Sequence, residues 1–475
     1  MRRVLLATAV LLGLVAAPAA HAGRVQTIEL PARGSEVVAQ TDYAYPGPPK
    51  ATVLLPNGYD PAKAYPLVLL LHGRGSDYQW WVEYVKADEV LADLNAVVVM
   101  PEASAGWYTD WWGGGRRGAP AWETYFLDQV LPQVRGRYAI RPERRYHAVV
   151  GVSMGGMGAT YLGGRLPGFF GSVASISGWL DYERYPFVGS SLMGVLNGRT
   201  PDPLVVVGPE GSPYSRGHNP RRLVANLAHT RVFLATGDGT LSARGYEPGN
   251  EPNGPIANAF EAIVRPMNDS YAEAAQSAGL DVTYTPHAGV HDAPDFRFDL
   301  AGAVRWGLFE PVAERPAEWV NQTVATRGQL WDVGYRFDPP PDGVVRFRRS
   351  GSRLRVAGAR TTAALTFPGG CSTTVVLPAD VTVPATPCAV LSVAVRPSRV
   401  LAGRRTTVRV QVTPAVPGAR VRIGRHQART DARGRAVVRV CFPGRRTVRT
   451  TADAAGHRRG TAPLRVTRAV GRRAC

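Results

Sequence analysis

Polar and apolar positions alternate over residues 24–64, at 25–30, 35–45 and 51–56. That period predicts antiparallel strands with one buried face, leading into a turn at Pro56-Asn57-Gly58. The pattern then changes. Residues 66–71 (PLVLLL) form an unbroken apolar run, as expected of a strand covered on both faces. Similar runs recur at 96–100 (AVVVM), 148–150, 173–176 and 232–235, and 282–285 closes the series. Between them the apolar spacing is helical. Trp122, Tyr125, Phe126, Val130 and Leu131 define an amphipathic helix over 121–135, and 257–278 behaves alike. Buried strands alternating with such helices predict an α/β fold built on a doubly wound, mostly parallel sheet. The Gly- and Pro-rich stretch 180–229 is long for a connector, which predicts a cap or lid above the sheet.

Past residue 311 the helical period disappears. Residues 313–388 carry short β patterns interrupted at Pro339-Pro340-Pro341, Gly369-Gly370 and Pro384, and predict a small β-rich module. Over 389–475 alternation is regular (LSVAVRP, TTVRVQVTP, ARVRIG, AVVRVCF, TVRTTA), which predicts a β-sandwich. This last stretch resembles the immunoglobulin-like modules of bacterial secreted and surface proteins. A chain of 475 residues exceeds one ordinary core, in keeping with an α/β domain at 23–312 followed by two all-β modules. The first 22 residues read as a secretory signal peptide: two arginines, an apolar stretch too short to span a bilayer, and Ala20-His21-Ala22 before the cut. They predict export, to the extracellular space or the cell wall, and no later apolar run has membrane-spanning length.

The net charge of +19 suggests a nucleic-acid partner until it is located. Residues 311–475 hold 30 arginines, no lysine and eight acids, a net of +22, so residues 1–310 are slightly acidic. The basic surface therefore belongs to the β modules. Its functional reading, the alternative to a merely compositional one, is a surface for a polyanion such as an acidic wall polymer or anionic lipid headgroups, with no nucleic acid. The preference for Arg over Lys also fits a GC-rich genome without any such partner. Cys371, Cys388, Cys441 and Cys475 all lie in this third. In an exported chain they predict two disulfides, of which Cys371–Cys388 with Cys441–Cys475 is the local pairing. Without a CxxC element they do not predict a zinc site.

The candidate chemistry centres on Gly-Val-Ser-Met-Gly at 151–155, between a buried strand and a small-residue segment. The order strand, sharp turn, helix would push Ser153 into solvent above the carboxyl end of the sheet. The motif is short enough to arise by chance, so its context must supply a base, an acid and oxyanion donors. In this arrangement the acid and the histidine follow the serine. The last predicted strand leads into His287 and then His291, of which His291, on the loop beyond, is placed to reach back over the sheet edge. The acid is Glu261, near the start of a predicted helix, or Asp238, after the strand 232–235. Asp238 could equally cap its own turn, and Glu261 could be a first-turn residue favoured by the helix dipole. Backbone N–H groups of Met154 and of the turn His72-Gly73-Arg74 fit an oxyanion hole, and His72, which precedes the serine, fits a structural role. Trp107, Tyr108, Trp111 and Trp112 predict an aromatic loop near the site, as a substrate surface or a packed lid.

The segments YPLVLLLHGRGSD, VVVMPEASAGWYTDWW, WETYFLDQVLPQV, GVSMGG, TRVFLATGDGT, FEAIVRPMNDSYAEAAQSAG and AGVHDAPDF occur in one order across residues 23–310. In this they resemble the secreted serine esterases of the α/β-hydrolase superfamily that include esterase D, feruloyl esterases and mycolyltransferases. The resemblance implies Ser153 as nucleophile, His291 as base, and the N–H groups of Arg74 and Met154 as oxyanion hole. In the mycolyltransferase branch the acid is a Glu on the helix before the last strand, where Glu261 lies. In feruloyl-esterase relatives it is an Asp nearer Asp238. The expected activity is acyl transfer from a carboxylic ester, of cell-envelope lipid or carbohydrate, to water or an alcohol, with no metal and no cofactor. The alternative is a non-catalytic wall or matrix adhesin acting through its basic β modules.

Overall fold

The computed structural model describes residues 24–32, 48–112, 120–195, 203–244, 254–384, 390–454 and 457–468. The signal peptide predicted over 1–22, the strand predicted at 35–45, Cys388 and Cys475 lie outside them. Neither cysteine within them, Cys371 or Cys441, is free. No helix among the described residues is long and apolar enough to cross a membrane.

Eight strands build the first sheet: β1 (Arg24–Glu29), β2 (Lys50–Leu55), β3 (Leu67–Leu71), β4 (Val97–Pro101), β5 (His147–Val152), β6 (Ser172–Ile176), β7 (Arg231–Thr236) and β8 (Val282–Pro286). Their order is β1-β2-β4-β3-β5-β6-β7-β8. β1 and β2 pair antiparallel, as does β2 with β4, and every pair from β4 onward is parallel. The unbroken apolar runs have a direct cause. Leu67, Leu69 and Leu71 enter the hydrophobic core on one face, while Val68 and Leu70 enter a separate core on the other. Parallel strands must be joined by crossovers, which cover both faces and leave no position for a polar residue. β8 departs from the expectation of a buried strand. It is the sheet edge, has a neighbour on one side only, and is half exposed along its length.

The predicted helices form, with one irregularity. The segment Trp122–Arg137 is helical throughout but widens to π geometry over Phe126–Val130, just before Pro132, which has no N–H to give to the α-helical ladder. The second runs over Gly254–Ser277. The 180–229 stretch contributes short helices, among them Val188–Val195, Pro213–Arg216 and the 3₁₀ run Pro220–Leu227.

Residues 318–382 form two four-stranded antiparallel sheets around a core that includes Trp319, Phe347 and Leu354. Residues 392–467 form a three-stranded and a five-stranded sheet around Val408, Val421, Val438 and Leu464. Strict alternation of buried and exposed positions, as in Arg435–Val440, reflects one face on the core and one in water.

The α/β domain and the first β module are joined by a polar contact centred on Arg144. This fully buried guanidinium donates to the carbonyls of His229 and Ala313 (both 2.9 Å) and Phe170 (2.6 Å) and to Thr230 Oγ1 (2.8 Å), and lies over Trp331 of the module. Burial pulls its pKa down to about 10, against the opposing pull of Glu314. Replacing it leaves two buried acceptors, the Phe170 carbonyl and Thr230 Oγ1, without this donor. Arg144→Met is expected to lower stability by roughly 3–5 kcal/mol, measured from urea midpoints; a loss under about 1 kcal/mol would show the contact to be dispensable.

Candidate active site

β5 ends at Val152, and the next residue, Ser153, takes φ 55°, ψ −118° before the helix Met154–Arg165 begins. A non-glycine residue in this region carries strain of about 1–3 kcal/mol, so the surroundings must hold it there. Two glycines of the motif make the turn sterically possible. A Cβ on Gly151 would stand 2.0 Å from the carbonyl oxygen of Gly155, and one on Gly155 would stand 2.2 Å from that of Leu71. The Ser153 amide donates to the Ile176 carbonyl at 2.9 Å, tying the turn to β6. The serine itself is partly exposed at the carboxyl end of the sheet.

His291 lies on the loop after β8, with its amide bonded to Ala257 O (3.2 Å) and its ring between Phe260 and Phe296. Its Nδ1 is 2.6 Å from Glu261 Oε2. Donation to a carboxylate fixes the proton on Nδ1 and makes Nε2 the basic nitrogen. Glu261 is fully buried within Gly254–Ser277, two turns beyond the helix start, which removes the first-turn dipole reading. Its Oε1 accepts from Ser177 Oγ (2.6 Å), Thr236 Oγ1 (2.7 Å) and the Gly237 amide (2.7 Å). Burial alone would raise its pKa. The His291 bond, helped by Ser177 and Thr236, instead holds the carboxyl below the ordinary glutamate value.

The other candidates are engaged elsewhere. Asp238 is exposed and accepts from Thr240 N (2.9 Å) and Thr240 Oγ1 (2.5 Å), so it caps its own turn. The structure brings Glu261, and not Asp238, onto the histidine. His287 bonds through Nε2 to the buried Asp299 (2.7 Å), and its Nδ1 faces Arg244 Nη2 (2.9 Å). His72 is buried, with Nδ1 on the Gly73 carbonyl (2.8 Å) and Nε2 accepting from the Ala103 amide (3.0 Å). Both nitrogens are used in holding two loops together.

The turn carrying Arg74 lies against the nucleophile, since a Cβ on Gly73 would be 3.5 Å from Ser153 Cβ. Met154 opens the helix whose N-terminus points at the turn. The aromatic loop is packed. Trp107, Tyr108 and Trp111 are buried; the Trp107 amide donates to Met154 Sδ (3.3 Å) and Tyr108 Oη to the His72 carbonyl (2.9 Å). These contacts tie the loop to the Met154 side chain and to His72, two residues before Arg74. Ser177 and Thr236 had no place in the sequence reading, although each is a polar residue at the carboxyl end of a buried run. Among the described residues no cluster of His, Cys, Asp and Glu could hold a metal ion.

Comparison with known proteins gives a family match. The model "Esterase: Putative esterase" matches residues 44–306. An esterase of Mycobacterium tuberculosis is 26% identical over 276 residues, covering 54% of this chain and 56% of that protein. The chain thus spans little more than half the length of that relative. A diacylglycerol acyltransferase/mycolyltransferase of Mycobacterium leprae is 28% identical over 244 residues, covering 48% and 68%. Among solved structures, MPT51 of Mycobacterium tuberculosis superposes with a TM-score of 0.47 at 19% identity, over 61% of this chain and 100% of that one.

Proposed function

Because the chain belongs to the esterase family, whose model spans residues 44–306, we propose that it is an exported serine esterase or acyltransferase that works through an acyl-enzyme. The observation that carries this reading is the 2.6 Å contact of His291 with a buried, triply hydrogen-bonded Glu261, taken with the strained turn at Ser153. Ser153 Oγ attacks the ester carbonyl carbon and passes its proton to His291 Nε2, while Glu261 balances the imidazolium. The N–H groups of Arg74 and Met154 hold the tetrahedral oxyanion. Collapse expels the alcohol, which takes the proton from His291. Water or a second alcohol, deprotonated by the same nitrogen, then attacks the acyl carbon and frees Ser153. The acid, base and nucleophile are all side chains of residues 23–312, which we assign as the catalytic domain.

The partial match to a diacylglycerol acyltransferase/mycolyltransferase supports an alcohol acceptor as well as water. A partition assay tests this. With a p-nitrophenyl ester as donor, a transferase forms new esters with added sugar or glycerol acceptors and releases proportionally less free acid. An esterase releases the acid in full whatever acceptor is present.

Ser177 and Thr236 are positioning residues in this reading. They lower the pKa of Glu261, so the carboxylate stays charged above that depressed value and loses its charge only as the pH falls through it. Losing two donors to a carboxylate, each worth about 1.5–3 kcal/mol, raises the value again. Ser177→Ala combined with Thr236→Val is expected to lower kcat about tenfold or more, with KM unchanged. The acidic limb of the kcat profile should move to higher pH. An unmoved limb would show that these donors do not tune the acid.

A further inference from the structure

Outside the catalytic domain, a groove of about 780 Å³ lies between the two β modules. One wall is the segment Ser372–Thr374 of the first module, where Ser372 and Thr374 are exposed on one face of the strand Ser372–Val376. The other is the exposed face of the five-stranded sheet, with Arg420 and Arg422 on the strand Arg420–Ile423 and Arg429 on its neighbour His426–Arg429. Arg420 and Arg429 stand directly opposite each other in register, an arrangement that repels unless an anion lies between or above the pair. Arg459 also lines the groove. Asp453, opposite Arg420 on the third strand, is the one acid lining the groove among the described residues, and its carboxylate is taken by Arg459. Among the described residues, Arg420, Arg422 and Arg429 make no ion pair, and Arg429 spends one N–H on the Gly418 carbonyl. Four guanidiniums therefore face one carboxylate across a concave surface.

We propose that this groove binds a linear polyanion, a polymer with repeating phosphate or carboxylate groups. Guanidiniums recognise both groups through paired N–H donors, and the hydroxyl wall supplies neutral donors opposite. The shape argues against a membrane, because a bilayer surface meets convex or flat faces and cannot enter a cleft between two modules. The lining argues against single-stranded nucleic acid, which is held by aromatic stacking platforms; among the described residues no Phe, Tyr or Trp lines the groove. The site is independent of the catalytic reading and would tether residues 23–312 to an anionic matrix.

The experiment uses the full chain with two triple variants of equal charge change. Arg420→Ser, Arg422→Ser and Arg429→Ser empty the groove. Arg396→Ser, Arg409→Ser and Arg435→Ser are made on the exposed face of the three-stranded sheet, where Arg396 and Arg409 also oppose each other in register but lie outside this groove's lining. The probes are inorganic polyphosphate, polygalacturonate, neutral dextran, and vesicles of phosphatidylglycerol and phosphatidylcholine in equal parts. Native protein is expected to bind one or both polyanions with strong salt dependence and to ignore dextran. The groove triple should lose about tenfold or more in affinity, with a salt slope shallower by about two to three, while the control triple stays within about twofold. The polymer affected identifies the anionic group. Thermal midpoints and turnover of a soluble p-nitrophenyl ester should match native protein in both. Equal losses in the two triples would reduce the effect to diffuse charge and overturn the proposal. So would the absence of polymer binding at low salt, or a loss confined to vesicle binding.

Discussion

Ser153→Ala is expected to cut turnover of p-nitrophenyl esters by at least about 10³-fold, leaving the residual rate that oxyanion donors and binding supply alone. The expectation rests on two features of the turn. Ser153 is held at φ 55° by glycines that cannot accept a Cβ and by its own amide bond to β6, so the alanine variant keeps the turn and loses only the nucleophile. The serine side chain also has no structural partner among the described hydrogen bonds, so its removal should leave thermal stability near native. Loss of activity with an unchanged melting temperature, together with loss of labelling by a fluorophosphonate, assigns the nucleophile to Ser153. Activity within about tenfold of native would remove the acyl-enzyme mechanism from this site.

Glu261→Gln should be nearly as damaging, by about 10³–10⁴-fold in kcat, whereas Asp238→Asn should change it by less than about threefold. The amide is close to the carboxylate in shape, but it carries no charge to balance an imidazolium. Its NH₂ group also meets donors where the carboxylate accepted. On the Oε1 side stand Ser177, Thr236 and Gly237 N–H, and on the Oε2 side His291 Nδ1. An NH₂ on either side leaves a clash of donors, and if it faces His291 it forces the proton onto Nε2, the wrong tautomer for a base. Asp238 holds only the turn at Thr240, and an asparagine keeps that bond. Steady-state kinetics at one pH separate the two carboxylates. If Asp238→Asn were the damaging change, the acid would have to be reassigned.

Much of the architecture was legible along the chain. The apolar runs at 66–71, 96–100 and 232–235 had no polar position because helices cover both faces of the sheet, and strict alternation after residue 390 reported sandwiches with one wet face. The same logic misread 282–285, because an edge strand and a buried one differ in how many neighbours they have, which periodicity does not record. The sharp turn at Ser153 was readable for a local reason: a strand-to-helix reversal in five residues demands glycines at fixed offsets, and steric demands of that kind are written in consecutive positions.

The acid was not readable in this way. Asp238 and Glu261 are both plausible by residue type and by place after a strand, and only the tertiary structure brings one of them to His291. Glu261 lies thirty residues before its partner, on a helix whose rotation about its own axis decides which side chain faces the loop after β8. That rotation is set by packing against the 3₁₀ run Pro220–Leu227 and β7. The three donors around the carboxylate come from the ends of two other strands, β6 and β7. The basic groove divides in the same manner. That thirty arginines fall in the last third of the chain could be counted along it, because composition is additive. Which of them meet across a cleft with no acid to spare was decided by strand register and by the placement of one module against the other. Both depend on contacts between residues far apart along the chain.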